Sequence, residues 1–312
     1  MLALGVAAWA VAIEGRLVWL QIYRHEALSS AASNQHWRTL VLPARRGDIV
    51  DRNGHTLAIS VEADSIVADP GQVTSASETA AAVCDALVAC DTDERDAFAR
   101  RLAQPRSFVY LRRQIGPEEA KRVAARDLDG VWLIPEGRRF YPNRELAAHV
   151  LGYVGTDGTG LAGVELSRDR QLRGRDGSMR VETDARRRGF RRLETPATPG
   201  ATLTLTIDAG LQYICETELR QAVVTEDASA GSVVMVDPAT GDVLAMATWP
   251  TFNPNAFGRF RDSDRRNRTV QDVYEPGSTF KIVTASAAIE EGLCTADETI
   301  DVSAGAVRIG TT

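Results

Sequence analysis

The chain opens on thirteen residues, MLALGVAAWAVAI, that carry no charge; Glu14-Gly15-Arg16 interrupts, and LVWLQIY resumes the apolar run. A continuous helix over residues 1–23 would be about 34 Å long at 1.5 Å per residue, enough to cross a bilayer. Trp19 and Tyr23 would then sit near an interface. Glu14 and Arg16 are costly in hydrocarbon, so they would face a partner, each other or the interface. A cleaved signal peptide would need a basic segment first, and none is present. A buried core helix is the other alternative. We read residues 1–23 as a single-pass signal anchor. Charge does not orient it: no Lys or Arg precedes the run, while Arg24 follows.

The 312 residues are enough for two further domains. Apolar residues make up 44% and charged residues 25%, an ordinary globular balance. A net charge of −6 gives no basic face for nucleic acid. Cys84, Cys90, Cys215 and Cys294 show no zinc-ligand spacing and no dense disulfide framework. Cys84 and Cys90 fall six apart in an expected helix, on different faces and poorly placed to bridge within it. Nothing calls for a metal or a cofactor.

Beyond the anchor the pattern alternates. TLVLPARRGDIVDRNGHTLAISVEADSIVADP holds short strands, with Asn53-Gly54 as a hairpin turn and TLAISV and SIVAD as two separate strands. Ser75-x-x-Glu78 is a capping box that opens a helix. DTDERDAFARRLAQ reads as a second short helix, FVYLRRQI is a strand, and Pro117 sits in the first turn of another helix. GVWLIPEGRRFYP returns to strand. NRELAAHVLGYVG and GVELSRDRQLRG are helical around a glycine-rich turn. The Arg-rich DARRRGFRRLETPATPG is a solvated loop or strand pair, and its Pro and Gly at 196–200 mark a boundary. TLTLTI then begins a strand, Asp208 caps a helix to about Val224, and GSVVMVD and DVLAMAT form a hairpin through PATG. The class is α+β.

The stretch DVYEPGSTFKIVTASAAIEEG sets Ser278 three residues before Lys281, one of only two lysines with Lys121. If a helix starts at or just after Ser278, its first N–H groups are unpaired and could stabilise an oxyanion. Lys281 would lie one turn on, along the same face. A lysine is ordinarily protonated near neutral pH, but burial and the positive helix end favour the neutral form. That amine could take the Ser278 proton for attack on a carbonyl. His25, His36, His55 and His149 lie far off in sequence and read as surface or packing residues. The competing reading is an N-cap serine and a solvated lysine; local sequence leaves both open.

YEPGSTFK resembles the active-site motif of the penicillin-binding proteins. RRGDIVDRNGHTLAIS looks like the start of the dimerisation, or pedestal, domain of the class B members. RRFYPNRELAAHVLGYVG and GLAGVELSRDRQLRGRDG resemble its later blocks, and GSVVMVDPATGDVLAMATWPTFNPN the entry to the transpeptidase domain. RNRTVQDVYEPGST is closer to the septal, cell-division group than to the elongation group. The resemblance implies an anchor over 1–23, a pedestal over 24–200 and the first part of a transpeptidase domain over 201–312. It implies a plasma (inner) membrane protein with its bulk extracytoplasmic, or periplasmic. Ser278 would be the acylated nucleophile and Lys281 its general base. Arg46, Gly47, Asp48, Asp51, Arg52 and Gly54 would be structural. The implied substrates are peptidoglycan stem peptides, a D-Ala-D-Ala donor and an amine acceptor, with β-lactams as inhibitors and divisome or wall-polymerase proteins as partners.

The family also uses a Ser-x-Asn and a Lys-Thr-Gly motif after the nucleophile, and neither follows Ser278. The expectation is a C-terminally incomplete chain, inactive by itself. The rival from another class is a noncatalytic membrane-anchored scaffold of a wall-synthesis complex. An elongation- or sporulation-type transpeptidase is a nearer alternative. A β-lactam sensor or β-lactamase is disfavoured by the long segment before Ser278.

Overall fold

The computed structural model describes residues 2–25, 37–183 and 189–299. They divide into two compact units, residues 1–269 and residues 270–312. In the first unit, helix α1 (Leu2–Val18) passes into a π-helical turn at Trp19–Tyr23. The Arg16 and Arg24 guanidinium groups lie 4.4 and 5.3 Å from the Trp19 ring centre. The expected helix is therefore continuous in its backbone but changes from α to π at Trp19. No helix among the described residues is long and apolar enough to cross a membrane; α1, with 17 residues, is about 26 Å long.

Strand β1 is Trp37–Leu42, β2 is Ile49–Val50 and β3 is Thr56–Ala68. The Asn53-Gly54 turn joins β2 to β3 antiparallel, with Gly54 at φ +86°. The two short strands expected over TLAISV and SIVAD are one 13-residue strand. Glu62-Ala63-Asp64 has low strand propensity. It stays extended because β5 (Val131–Phe140) pairs along nearly all of β3, from Ile59↔Phe140 to Ala68↔Val131. Strand β4 (Val109–Ile115) pairs with the other edge of β3.

Three helices cover this sheet: α2 (Ala76–Ala86), α3 (Thr92–Leu102) and α4 (Pro117–Ala124). Ser75 Oγ caps α2 by accepting from the Glu78 N–H, and Asp91 caps α3 from the Glu94 N–H. Their apolar stripes bury Val83, Phe98, Leu102 and Val123 against Ile66 and Leu111. Cys84 and Cys90 are joined in a disulfide, Cα–Cα 5.4 Å. This corrects the expectation that they are poorly placed to bridge. Helix α2 stops at Ala86, Leu87 is extended, and the chain turns back, so the two cysteines do not share a helix.

A second core gathers Ile49, Leu57, Tyr141, Leu151 and Leu172. It is roofed by the short helices α5 (Ala148–Leu151), α6 (Gly163–Ser167) and α7 (Asp169–Arg173). Of the Arg-rich run over 184–200, β7 (Gly189–Thr195) is one strand of a pair whose other member, β6 (Gly177–Thr183), precedes the run, and β1 adds to β6; residues 184–188 lie outside the described residues. Of TLTLTI only β8 (Leu203–Thr204) is strand, parallel to β2.

Asp208 caps α8 (Ala209–Thr225) by accepting from the Gly210 and Leu211 N–H groups. Helix α8 packs Cys215, Leu219 and Val223 on Ala245 and Ala247 of the antiparallel pair β9 (Gly231–Val236) and β10 (Val243–Trp249). A Cβ on Gly231 would lie 2.7 Å from Leu219 Cδ1 and Val223 Cγ2, so glycine permits that close helix–strand approach. In the second unit, a 3₁₀ turn (Gly277–Phe280) leads into α9 (Lys281–Glu290).

Candidate active site

Pro276 sits at φ −68°, already helical, and Gly277 takes φ +52°, which a side chain would resist. The Thr279 N–H and hydroxyl both donate to the Pro276 carbonyl, closing the turn. The backbone N–H of Lys281 donates back to the Ser278 carbonyl. Ser278 and Lys281 are therefore one turn apart at a helix N-terminus, as their spacing predicts. The helix starts as a 3₁₀ turn and becomes α-helical only at Lys281. Neither residue is buried, and no hydrogen bond among the described residues joins the Ser278 hydroxyl to the Lys281 amine. The burial expected around Lys281 is not supplied by residues 270–299, because α9 also leaves Ile282 and Val283 exposed.

Of the residues expected to be structural, Arg46, Gly47 and Asp51 are buried in the first unit. Arg46 donates from Nε to Glu165 Oε2 at 2.7 Å, from Nη2 to the Glu165 carbonyl, and from Nη1 to Asp169 Oδ1 and the Gly158 carbonyl. Arg139 Nε donates to Glu165 Oε1 at 2.6 Å, and the Tyr141 hydroxyl donates to the same oxygen at 3.2 Å. Burial and the Glu165 charge push the Tyr141 hydroxyl well above its usual range, keeping it a donor. A Cβ on Gly47 would collide with the Ala201 carbonyl. The Asp48 carbonyl accepts from the Leu203 N–H, and the Arg52 N–H donates to the Ile207 carbonyl.

Asp51 is wholly out of solvent. It accepts from the Asn53, His55 and Ala209 N–H groups and faces His55 Nδ1 at 3.0 Å. Burial pushes its carboxyl up, but those hydrogen bonds outweigh it and bring the pKa down to about 2.

Three side chains that sequence reasoning missed, together with His149, join the segment after 205 to the earlier cores. Asn255 pairs with Tyr141 like a strand neighbour, Oδ1 accepting its N–H at 2.9 Å and Nδ2 donating to its carbonyl at 2.8 Å. Glu216 Oε1 accepts from the Ala147 N–H at 2.8 Å and from Gln212; burial nonetheless raises its carboxyl. Arg265 Nη1 donates to the Tyr153 hydroxyl. Buried His149 donates from Nε2 to the Asp264 carbonyl and meets Phe252 edge-on at 5.1 Å, consistent with the packing role expected of it. Only the FNPN segment, as part of a longer matched block, hinted at Asn255.

Residues 41–205 match the family described as "Penicillin-binding Protein dimerisation domain", and residues 231–311 "Penicillin binding protein transpeptidase domain". A "Probable peptidoglycan D,D-transpeptidase PbpC" of Pseudomonas aeruginosa is 37% identical over 96% of this chain and 53% of its own length. The "Peptidoglycan D,D-transpeptidase FtsI" of Escherichia coli is 36% identical over 89% of this chain and 48% of its own length. Among solved structures, a peptidoglycan synthetase from Bifidobacterium adolescentis superposes with a TM-score of 0.57 at 26% identity, covering 84% of this chain and 52% of its own. The chain spans about half the length of the curated relatives it matches.

Proposed function

The chain belongs to the class B penicillin-binding proteins, and on that premise we propose that it serves peptidoglycan D,D-transpeptidation through Ser278. The observation that carries this reading is Ser278-x-x-Lys281 at the first turn of a helix, inside the segment matching the transpeptidase family. Ser278 Oγ attacks the carbonyl of the penultimate D-Ala of a stem peptide while the Lys281 amine takes the hydroxyl proton. The tetrahedral oxyanion is met by N–H groups at the helix start. Its collapse breaks the C–N bond, and D-alanine leaves with a proton. An amine of a neighbouring stem peptide then attacks the ester, forming the cross-link and returning Ser278. A β-lactam would acylate the same oxygen.

The division into anchor (1–23), pedestal (24–200) and transpeptidase segment (201–312) belongs to this reading. So do single-pass attachment to the plasma membrane through α1, with the bulk of the chain outside, and partners among the wall-synthesis proteins. Similarity to FtsI supports a septal role. In the full-length gene product, Ser278→Ala is expected to abolish labelling by a fluorescent penicillin; undiminished labelling would overturn the assignment. Depletion should give filamentous cells, whereas rounded cells would point to elongation.

A further inference from the structure

Strand β5 pairs with β3 along one edge, and no strand among the described residues pairs with its other edge. The Asp69 N–H donates to the Gly130 carbonyl, which fixes the parity of this ladder. The even-numbered residues from Trp132 to Phe140 therefore turn their N–H and C=O groups toward β3, and the odd-numbered ones turn theirs outward. Among the described residues, nothing accepts from the outward N–H groups of Leu133, Gly137 and Arg139, and nothing donates to the outward carbonyls of Leu133, Pro135 and Arg139. Pro135 and Gly137 are exposed. Pro135 falls on an outward position, where its missing N–H breaks no bond of the ladder. The margin at β4 is different: α3 covers it, and Arg101 Nη1 donates to the Tyr110 and Leu111 carbonyls.

Beside β5 there is room. A cleft of about 470 Å³ is lined by Gly137 to Tyr141 and by Asn255. Asn255 already acts as one residue of a neighbouring strand, because its amide takes the N–H and the carbonyl of Tyr141, the next outward residue after Arg139. The free groups on β5 recur every second residue, roughly 7 Å apart. An extended polypeptide offers donors and acceptors at that repeat, and a small ion does not. On the face with the even-numbered side chains, Glu136 is matched by Arg113 and Ser65. Trp132 and Arg138 on that face are exposed, and the Arg138 guanidinium has no partner among the described residues. A strand antiparallel to β5 is therefore favoured by an acidic residue opposite Arg138 and a large apolar one opposite Trp132. A second copy fits worse: the central registers of two β5 strands set Pro135 opposite Pro135, with no N–H between them, or Glu136 opposite Glu136.

We propose that the outer edge of β5 docks an extended segment of a partner protein, added as an antiparallel strand over Leu133–Arg139. The segment carries an acidic residue opposite Arg138 and, toward its C-terminal end, a large apolar residue opposite Trp132. Main-chain hydrogen bonds hold it, and those two side chains select it. The inference does not depend on the chemistry of Ser278.

The probe is the synthetic peptide acetyl-Thr-Glu-Thr-Thr-Val-Val-Thr-Tyr-Thr-amide, whose Glu and Tyr fall opposite Arg138 and Trp132, titrated into the 312-residue chain. Saturable binding is expected, with slowed hydrogen exchange at the Leu133, Gly137 and Arg139 N–H groups. N-methylation of the peptide residues opposite Leu133 and Pro135 should weaken binding at least about tenfold, whereas N-methylation opposite Ile134 and Glu136, where the N–H faces away, should not. Arg138→Glu should weaken binding at least about tenfold, and replacing the peptide's Glu by Arg should restore it. No saturable binding, binding without slowed exchange at those three N–H groups, indifference to which peptide N–H groups are methylated, or equal binding by Arg138→Glu would overturn the proposal. So would a dimer of the chain that protects the same three N–H groups, because the edge would then belong to a second copy.

Discussion

Glu165 accepts from Arg46 Nε on one carboxylate oxygen, at 2.7 Å, and from Arg139 Nε on the other, at 2.6 Å, with none of its side chain in solvent. A single buried charge thus holds two guanidinium groups from segments far apart in sequence. Removing one member of such a group leaves the others buried and unmatched, a loss of about 3–5 kcal/mol. Glu165→Gln keeps the shape and removes the charge. Urea unfolding should show a destabilisation of that size, and a loss under about 1 kcal/mol would mean that the network is not what holds the second core.

Asp51 lends the fold a dependence on acid. Its carboxyl, lowered to about 2 from an ordinary 3.8, binds its proton less readily folded than unfolded. Its contribution is therefore complete above pH 4 and is lost as pH falls from 4 toward 2. A shift of this size is worth about 2 kcal/mol. Unfolding free energies measured across that window should slope less steeply in Asp51→Asn than in the parent. Parallel slopes would remove Asp51 as the source.

What the sequence made legible was local. Ser75 and Asp208 cap helices within three residues of themselves, so each was readable from its neighbours. The Ser278–Lys281 spacing was readable for the same reason. Glu165 was not, because its partner Arg46 lies 119 positions away and nothing near either residue announces the other. The unity of β3 was hidden because β5, not the propensity of Glu62-Ala63-Asp64, keeps it extended. Exposure of Lys281 was hidden too: helical spacing gives the face of a residue but not what covers that face.

The Cys84–Cys90 bridge closes a short loop between α2 and α3. Chain-entropy arguments put such a loop at about 2 kcal/mol. Thiol titration of the denatured chain should find two free thiols, those of Cys215 and Cys294, and four after reduction. Reduction, or the double substitution Cys84→Ser and Cys90→Ser, should lower the melting temperature and leave the far-ultraviolet dichroism intact. Four thiols before reduction would show that the bridge does not form.

Lys281 offers the sharpest separation of catalysis from folding. It is exposed, its amine bonds nothing among the described residues, and only its backbone N–H ties it to Ser278. In the 312-residue chain, Lys281→Arg should therefore leave the melting temperature unchanged. Arginine remains charged and cannot accept the Ser278 proton. Acylation by a fluorescent penicillin in the full-length gene product should fall by about 10²–10⁴, the usual contribution of a positioned base. Ser278→Ala should remove labelling altogether, while Ser278→Cys tests whether the remaining machinery accepts another nucleophile. If Lys281→Arg labels at a rate within about tenfold of the parent, proton transfer belongs to another group. The serine would then stand as nucleophile without the lysine as its base.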